Sequence, residues 1–258
     1  MKKKNYKYIY GPVPSWRLGS SLGIDPLSQS EKVCTFDCTY CQIGKTKSLT
    51  DERRIFVPVS DLLDELKSLP PLELDYITFS GTGEPTLALN LGEMIKEVKK
   101  IRPEKVAVLT NSTMMSMEDV QKDLFYADFV AAKLDAATQS IFEDINKPMK
   151  HIRLEDIIQS IKTFRSCYIG KLALQVMFVE QNKTHAAEIA RIVREINADE
   201  IQINTPLRPS RVKPLSQKEL EKVKSYFKDI NVISVYETEK KKVEPVSREE
   251  TLKRRGKV

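Results

Sequence analysis

The chain has 258 residues, of which 41% are hydrophobic and 30% are charged, so it can bury a substantial core as one domain with an appendage. Its 42 basic and 36 acidic residues give a net charge of +6, which permits an anionic partner such as RNA without requiring one. No apolar run is long enough to span a membrane and no signal segment precedes the cysteines, so we expect a cytoplasmic protein with reduced thiols and no membrane partner.

The first predicted element is a short strand over residues 22–24. The stretch 11–19 before it carries two prolines and two glycines, which favours irregular structure. After the strand comes a loop with three of the four cysteines, Cys34, Cys38 and Cys41. We therefore expect these cysteines at the carboxyl end of the first strand.

The three cysteines have the spacing C-x3-C-x2-C, with Tyr40 just before the last. Three thiolates on so short a loop can hold three corners of a cubane iron–sulfur cluster and leave the fourth iron open to another ligand. A zinc ion with a His or Cys167 as fourth ligand is an alternative, although the second Cys pair typical of structural zinc is missing. A disulfide scaffold is a third interpretation, but such scaffolds are typical of much shorter secreted chains.

Predicted helices and strands alternate beyond residue 60. Apolar residues spaced i, i+3, i+4 and i+7 mark the helices. Strands are predicted over 74–80, 106–110, 129–134, 172–179 and 200–203. Together with 22–24 they indicate parallel βαβ units with right-handed crossovers. The fold class is α/β, and either a partial (β/α)6 barrel or an open doubly wound sheet fits the pattern.

Polar side chains recur on one face of several predicted strands. This face includes Ser80 at the end of the second strand, Lys133 and Asp135 at the end of the fourth, and Gln175 on the fifth. Strands of a doubly wound sheet read as nearly continuous apolar runs, so the polar face favours a barrel with a polar lumen. Ligand sites in parallel α/β folds lie at the carboxyl ends of the strands. We therefore expect these four residues to line a pocket that faces the cysteine loop.

Two turns at strand ends are further candidates. The stretch 81–85, G-T-G-E-P, has glycines that let a ligand approach the backbone closely, and no Lys-Ser/Thr follows to make it a Walker phosphate loop. Asn111 lies in the turn 110–112 after the third strand, where it would face the same pocket. An ordinary turn would explain either stretch taken alone.

Lys133 and Asp135 are expected to contact a cofactor or substrate and to take part in catalysis. Burying both charges without a ligand costs several kcal/mol per ion unless each is well satisfied. Charge clusters inside barrels are typical of functional sites, although a purely structural ion pair is the alternative. Arg208 and Arg211, after the sixth strand, could clamp a carboxylate or phosphate or could be ordinary surface residues.

The pattern changes after residue 215. Ser216 and Glu219 predict a capping box at the start of a helix, followed by a strand candidate over 232–235 and a short helix over 247–254. We expect a main domain over 1–215 and a C-terminal extension over 216–258. The extension would cap the open barrel or serve as an interaction module.

The cysteine loop with Tyr40 resembles the cluster loop of the radical S-adenosylmethionine (SAM) superfamily. The stretch 82–85 is similar to the superfamily's G-G-E-P, with Thr82 in place of the first glycine, and 110–112 is similar to its T-N-G turn, with Ser112 in place of the glycine. The stretches 11–25 and 204–209 make the resemblance narrower, to a group of radical SAM proteins related to the wyosine tRNA-base synthase (4-demethylwyosine synthase-like).

The resemblance implies a partial barrel of radical SAM type and a reaction. Cys34, Cys38 and Cys41 would hold a [4Fe-4S] cluster whose open iron binds SAM. Reductive cleavage of SAM would give a 5'-deoxyadenosyl radical that abstracts hydrogen from an unidentified substrate, with a tRNA base as one candidate. An external electron donor of flavodoxin or ferredoxin type would supply the electron. The residues expected to bind SAM or lie beside the cluster are Tyr40, Ser80, Thr82, Gly83, Glu84, Asn111, Asp135 and Gln175.

The reaction of the wyosine synthases does not follow from this resemblance. Those archaeal enzymes carry further cysteines for a second cluster, whereas only Cys167 remains here. Two other functions stay open, an activase that installs a radical on a partner protein and a module whose cluster serves only in electron transfer or structure.

Overall fold

The computed structural model describes residues 6–239 and 241–255. Its strands are β1 (Ile9–Ser15), β2 (Gly19–Ile24), β3 (Val33–Cys34), β4 (Ser48–Leu49), β5 (Tyr76–Phe79), β6 (Lys105–Thr110), β7 (Phe129–Lys133), β8 (Lys171–Met177), β9 (Glu200–Asn204) and β10 (Val232–Ser234). Its α-helices are α1 (Val59–Lys67), α2 (Leu91–Ile101), α3 (Glu118–Leu124), α4 (Gln139–Asn146), α5 (Leu154–Cys167), α6 (Ala186–Ile196), α7 (Gln217–Lys224) and α8 (Arg248–Arg255). No helix among the described residues is long and apolar enough to cross a bilayer.

Eight strands form one curled sheet in the order β1-β2-β5-β6-β7-β8-β9-β10. From β2 to β10 every neighbouring pair is parallel, and each crossover carries at least one α-helix. The short pair β3 and β4 lies apart and carries the first cysteine. The α/β partial barrel predicted from the sequence is confirmed, and it contains all six predicted parallel strands.

In the main sheet, the sequence prediction was wrong for strand β1, and it also missed the short strands β3 and β4. Strand β1 runs through Gly11, Pro12 and Pro14 and pairs with β2 in antiparallel fashion, with a bulge between Tyr10 and Val13. A proline has no backbone N–H to donate, so it is tolerated on an edge strand whose outer side has no ladder partner. Because β1 is the edge of the sheet, its prolines do not prevent pairing with β2.

The two faces of the sheet differ in composition, as the strand patterns predicted. Ile77 and Phe79 of β5 point into the main core between sheet and helices, where both are fully buried. The floor of the barrel lumen is a separate small apolar cluster of Leu18, Ala107, Phe129, Ala131 and Ala173. The polar residues lie above this floor, towards the carboxyl ends of the strands. The lumen is therefore closed below and polar at the end that faces the cysteine loop.

The C-terminal segment touches both edges of the sheet. Strand β10 adds to β9 at one edge. At the other edge α8 packs against β1, where the Val246 N–H donates to the Gly11 carbonyl at 2.6 Å and the Gly11 N–H donates to Thr251 Oγ1 at 3.0 Å. The predicted capping box of Ser216 and Glu219 is present at the start of α7. The segment thus bridges the opening of the half-barrel, while the domain boundary at residue 215 stays a prediction.

Candidate active site

The cysteine loop lies over the carboxyl ends of the strands. Val33 bridges to Gly83, just beyond β5, and the Glu84 N–H donates to the Val33 carbonyl at 3.1 Å. On the opposite side the Thr39 N–H donates to the Ile145 carbonyl at 2.8 Å. Backbone hydrogen bonds therefore tie both ends of the loop to the barrel rim, where the sequence predicted it.

The three thiols differ in exposure. Cys34 and Cys38 are buried and Cys41 is half-buried. Burial raises the pKa of the Cys34 thiol to about 12 and that of the Cys38 thiol to about 11. Thiolates at these positions need positive charge nearby, and Lys32 lies close enough that the three thiolates raise its pKa despite the opposing effect of its burial.

The geometry of the thiols differs from that of a single-ion site. Within 6–239 and 241–255, no three His, Cys, Asp or Glu side chains converge closely enough to share one metal ion. A cubane cluster places each thiolate on a different iron, so it does not require such convergence.

Two asparagine side chains donate to cysteine sulfurs. Asn111 Nδ2 lies 3.6 Å from Cys34 Sγ and also donates to Thr35 Oγ1 at 2.7 Å. Asn146 Nδ2 lies 3.5 Å from Cys38 Sγ. Hydrogen bonds to coordinating sulfurs tune the potential of iron–sulfur clusters. Asn111, a predicted site residue, therefore lies at the cysteine loop, and the sequence prediction did not include Asn146.

Asp135 is the centre of a buried network beside the cysteine loop. Its Oδ2 accepts from the Tyr40 hydroxyl and from Asn146 Nδ2, the latter at 2.8 Å. Its Oδ1 accepts from the Met177 N–H at 2.7 Å and lies 3.5 Å from Lys133 Nζ. Lys133 Nζ also lies 4.9 Å from the centre of the Tyr40 ring. The structure thus brings together the predicted residues Tyr40, Lys133 and Asp135.

The pKa of Tyr40 is raised well above its usual value, first by burial and then by the Asp135 carboxylate. Its hydroxyl therefore stays protonated and serves Asp135 as a donor. This hydrogen bond crosses between the cysteine loop and the end of β7.

Glu84 connects the turn after β5 to the end of β6. Its Oε1 accepts from the Thr86 N–H, Thr86 Oγ1 and Thr110 Oγ1, and its Oε2 accepts from the Asn111 N–H at 2.7 Å. Burial raises the pKa of Glu84, and the hydrogen bonds from Asn111, Thr110 and Thr86 oppose that rise. The carboxylate is thus anchored within the protein, with a single hydrogen bond on Oε2. Its contact with SAM stays a prediction.

The glycines and threonine of the same turn are held equally closely. Thr82 donates its N–H and its hydroxyl to Asp25 Oδ2, at 3.2 and 2.8 Å. Gly81 has a φ of +127° and lies against Asp25. A Cβ on Gly83 would lie 1.8 Å from the Val33 carbonyl oxygen. The turn therefore needs glycine at both positions in order to pack under the cysteine loop.

Replacing Gly83 with alanine is expected to lower the free energy of unfolding by about 2–3 kcal/mol, because the new methyl group would overlap a backbone atom that cannot move alone. Gly44→Ala is the matched control, since a Cβ there meets nothing within 4 Å and only the φ of +106° opposes it. Urea unfolding of both variants measures the difference. Gly44→Ala shows the cost of backbone strain without a contact, and wild-type stability in Gly83→Ala would contradict the close contact.

A pocket of about 400 Å³ opens beside the cysteine loop. Its walls come from β1, β2, β5 and β9, and Gln42 and Ile43, next to Cys41, form part of its rim. Ser80 lines it and shares a hydrogen bond of 2.5 Å with the Tyr10 hydroxyl. Three buried polar atoms of lumen strands lack a hydrogen-bond partner among the described residues: Lys133 Nζ, Gln175 Nε2 and Gln202 Oε1. Such orphaned groups indicate a polar ligand.

Arg208 and Arg211 do not form the clamp considered from the sequence. Arg211 forms a salt bridge with Asp37 and donates to the Cys38 carbonyl at 2.6 Å, so it braces the cysteine loop. Arg208 lines the pocket and is held by Gln42 Oε1 at 2.8 Å. The two side chains therefore lie in different places, Arg211 at the cysteine loop and Arg208 at the pocket.

Sequence reasoning missed Lys32, Asp25 and Asn146. Lys32 stands two residues before Cys34, so its proximity could have been inferred. Asp25 follows β2 directly, the position at which polar residues were sought on other strands. Asn146 ends α4 and had no comparable signal.

Comparison with known proteins agrees with this geometry. The family model described as the Radical SAM superfamily matches residues 32–193. UPF0026 protein slr1464 of Synechocystis is 42% identical over 214 residues, which cover 83% of this chain and 79% of that protein. UPF0026 protein MJ1312 of Methanocaldococcus jannaschii is 35% identical over 233 residues, which cover 86% of this chain and 71% of that protein. The resemblance to wyosine synthases stays a prediction.

Solved structures share the fold at low identity. Streptococcus suis SuiB, in a structure bound to S-adenosylmethionine, is 14% identical with a TM-score of 0.63, and the match covers 80% of this chain and 48% of SuiB. A structure titled native anSMEcpe with bound AdoMet is 18% identical with a TM-score of 0.60, covering 84% and 64%. This chain thus spans about half the length of SuiB. On the family model and the UPF0026 relatives, the chain belongs to the radical SAM superfamily, whose cofactors are a [4Fe-4S] cluster and S-adenosylmethionine.

Proposed function

We propose that this radical SAM enzyme abstracts hydrogen from a small-molecule substrate that binds in the pocket between β1 and β9. One observation carries the proposal. The loop with Cys34, Cys38 and Cys41 borders, through Gln42 and Ile43, a pocket of about 400 Å³ at the carboxyl ends of parallel strands. Spaces of this size are typical of small-molecule sites.

The residues of the loop fit a [4Fe-4S] cluster. Cys34, Cys38 and Cys41 supply three thiols and leave one iron without a protein thiolate. Asn111 and Asn146 supply donors to two of the sulfurs, and Lys32 supplies a positive charge among the three. This donor set supports assigning the cluster to this loop.

The lumen fits SAM. The orphaned Lys133 Nζ and Gln175 Nε2 are polar side-chain atoms available to a ligand. The backbone of 81–85 joins them on the similarity of this stretch to the superfamily's G-G-E-P. Ser80 and Asn111 lie at neighbouring strand ends. We assign the SAM site to these groups, with Tyr40 and Asp135 positioning the cysteine loop against β7.

Cys34, Cys38 and Cys41 would hold the cluster, and when bound and reduced it would supply the one electron needed for cleavage of SAM to methionine and a 5'-deoxyadenosyl radical. The chain's own residues hold the reactants and exclude water. The apolar cluster around Phe129 closes the lumen from below. Lys133, fixed between the Tyr40 ring and Asp135, keeps a positive charge beside the polar ligand.

Anaerobic reconstitution tests this function. The protein should bind about four iron and four sulfide ions per chain. After reduction with dithionite it should form 5'-deoxyadenosine from SAM, measured by liquid chromatography. A colourless protein with stoichiometric zinc, or a cluster-loaded protein that forms no 5'-deoxyadenosine, would contradict the proposal.

The other functions considered from the sequence stay predictions. An RNA substrate rests on basic termini, of which residues 1–5 and 256–258 lie outside the described residues. Comparing modified nucleosides and metabolites between a deletion strain and its parent separates the classes. Loss of one nucleoside favours RNA, and a silent RNA profile favours a metabolite or a partner protein. The flavodoxin- or ferredoxin-type electron donor stays a prediction as well.

A further inference from the structure

Three guanidinium groups converge on the pocket from distant parts of the chain. Arg17 comes from the turn between β1 and β2, Arg208 from the segment after β9, and Arg255 from the end of α8. All three line the same space of about 400 Å³. We call them the arginine cluster. It exists only because α8 returns to the edge of the sheet opposite β9.

The arginine cluster has no carboxylate partner among the described residues. Within 6–239 and 241–255 no Asp or Glu forms a salt bridge with any of its three members, and none lines the pocket. The neighbouring Arg254 offers a contrast, since it is paired with Asp25 and Glu250. Of the four arginines that line the pocket, Arg254 is thus neutralised, and the other three have no counter-ion among the described residues.

Several N–H donors of the arginine cluster make no hydrogen bond with any described residue. Arg17 Nε is buried and has no hydrogen-bond partner. Arg208 donates Nε to Gln42 and Nη1 to the Arg255 carbonyl, but its Nη2 donates to none of the described residues. The Arg255 side chain makes no hydrogen bond with the described residues. Free guanidinium donors in a recess suit oxyanions, which accept from them bidentately.

The lowered pKa of Arg17 also supports an anion at this position. Burial, followed by repulsion from Arg208 and Arg255, lowers the pKa of Arg17 to about 10. Repulsion between like charges and the cost of burying them are both unfavourable. An anion bound among the three guanidinium groups reduces both.

SAM is a poor candidate for this position. It carries a sulfonium and an ammonium against one carboxylate, so its net charge is positive and three unpaired arginines would repel it. The groups assigned to SAM extend from Ser80, at the edge of this pocket, to Lys133 and Gln175 on β7 and β8, which do not line it, whereas the arginine cluster lies at the β1 and β9 side.

We propose that the arginine cluster binds a multiply charged oxyanion, either a phosphate group or paired carboxylates, on a small-molecule substrate. The inference rests on the proposed function in calling that anion part of the substrate. Trp16, against which Arg17 stacks with 5.2 Å between guanidinium carbon and ring centre, and Tyr10 supply flat apolar walls for the rest of the molecule. The α8 helix therefore completes the substrate pocket by contributing Arg255.

Calorimetric titration of the cluster-loaded protein tests the proposal, without reductant or SAM so that no turnover occurs. The probes are sodium pyrophosphate and trisodium citrate at constant ionic strength. We expect saturable binding that Arg17→Gln and Arg255→Gln each weaken by about tenfold or more, as removal of a charged donor does. Arg191→Gln, an exposed arginine of α6 outside the pocket, should bind like the wild type. Tighter pyrophosphate binding assigns a phosphate group, and tighter citrate binding assigns paired carboxylates.

Stability provides a second readout. Without anion, the Arg17→Gln variant should unfold at or above the wild-type temperature, because the substitution relieves repulsion and breaks no hydrogen bond of the described residues. With anion, the wild type should gain more than the variant.

Several results would overturn the proposal: no saturable binding of either probe, unchanged affinity in both cluster variants, complete displacement of the probes by SAM, or binding of tRNA alone. The wild-type 5'-deoxyadenosine assay reports on the proposed function separately. Anion binding without SAM cleavage would therefore count against that function and still support the anion site.

Discussion

Replacing Cys38 with alanine is expected to reduce bound iron and sulfide to background and to abolish 5'-deoxyadenosine formation. The variant keeps two of the three thiols, and two thiolates leave two irons of a cubane without protein ligands. Alanine is preferable to serine because it offers no oxygen ligand. Iron and sulfide analysis with the visible absorption spectrum measures the first effect, and chromatography of SAM reaction mixtures measures the second.

Cys167→Ala is the matched control for this variant. Cys167 is exposed at the end of α5, away from the cysteine loop. The control should keep wild-type iron content and activity. Thermal unfolding of the iron-free proteins separates loss of a ligand from loss of the fold. Wild-type iron in Cys38→Ala, or loss of iron in Cys167→Ala, would rule out the assignment of the cluster to this loop.

The parallel part of the sheet could be predicted because local patterns determine it. Strands β5 to β9 are short segments that alternate with amphipathic helices, and this alternation alone implies parallel pairing. The lumen-facing residues Ser80, Lys133 and Gln175 followed from the alternation of side chains along a strand. Strand β1 could not be predicted in this way. Its prolines argue against a strand, and only its position at the sheet edge makes them acceptable.

The site residues that the sequence did not predict come together through contacts between segments that are distant along the chain. Asn146 lies 108 residues from Cys38 along the chain, so no spacing rule connects them. The arginine cluster joins Arg17, Arg208 and Arg255, which meet only once the sheet has curled and α8 has docked on β1. Glu84 is the reverse case. A local motif predicted its place near the site, but the motif did not show that Thr86, Thr110 and Asn111 donate hydrogen bonds to its carboxylate.

Replacing Asp135 with asparagine is expected to lower the free energy of unfolding by about 2–3 kcal/mol, because buried donors would lose their acceptor. The carboxylate receives the Met177 N–H on one oxygen and the Tyr40 hydroxyl and Asn146 Nδ2 on the other, with Lys133 3.5 Å away. An amide accepts on one side only. Placing its NH2 towards Met177 would set two N–H groups against each other.

The asparagine therefore directs its NH2 towards Tyr40 and Asn146. The Tyr40 hydroxyl can rotate to accept, but Asn146 must turn its own amide over to present Oδ1, which has no hydrogen-bond partner among the described residues. That rotation removes the Asn146 donor from Cys38 Sγ. We therefore expect the loss of stability to be accompanied by a shift in the cluster's reduction potential and by at least a roughly tenfold fall in SAM cleavage.

A double-mutant cycle with Lys133→Met tests the cause. In Asp135→Asn the Lys133 ammonium loses its counter-ion while its side chain is only 16% exposed. Removing the lysine as well should recover part of the stability, so the double variant should be less destabilised than the sum of the single variants. SAM cleavage should not recover, because the Asn146 donor stays turned away from Cys38. Additive losses of stability would show that Lys133 and Asp135 do not interact, and wild-type SAM cleavage in Asp135→Asn would remove Asp135 from the site.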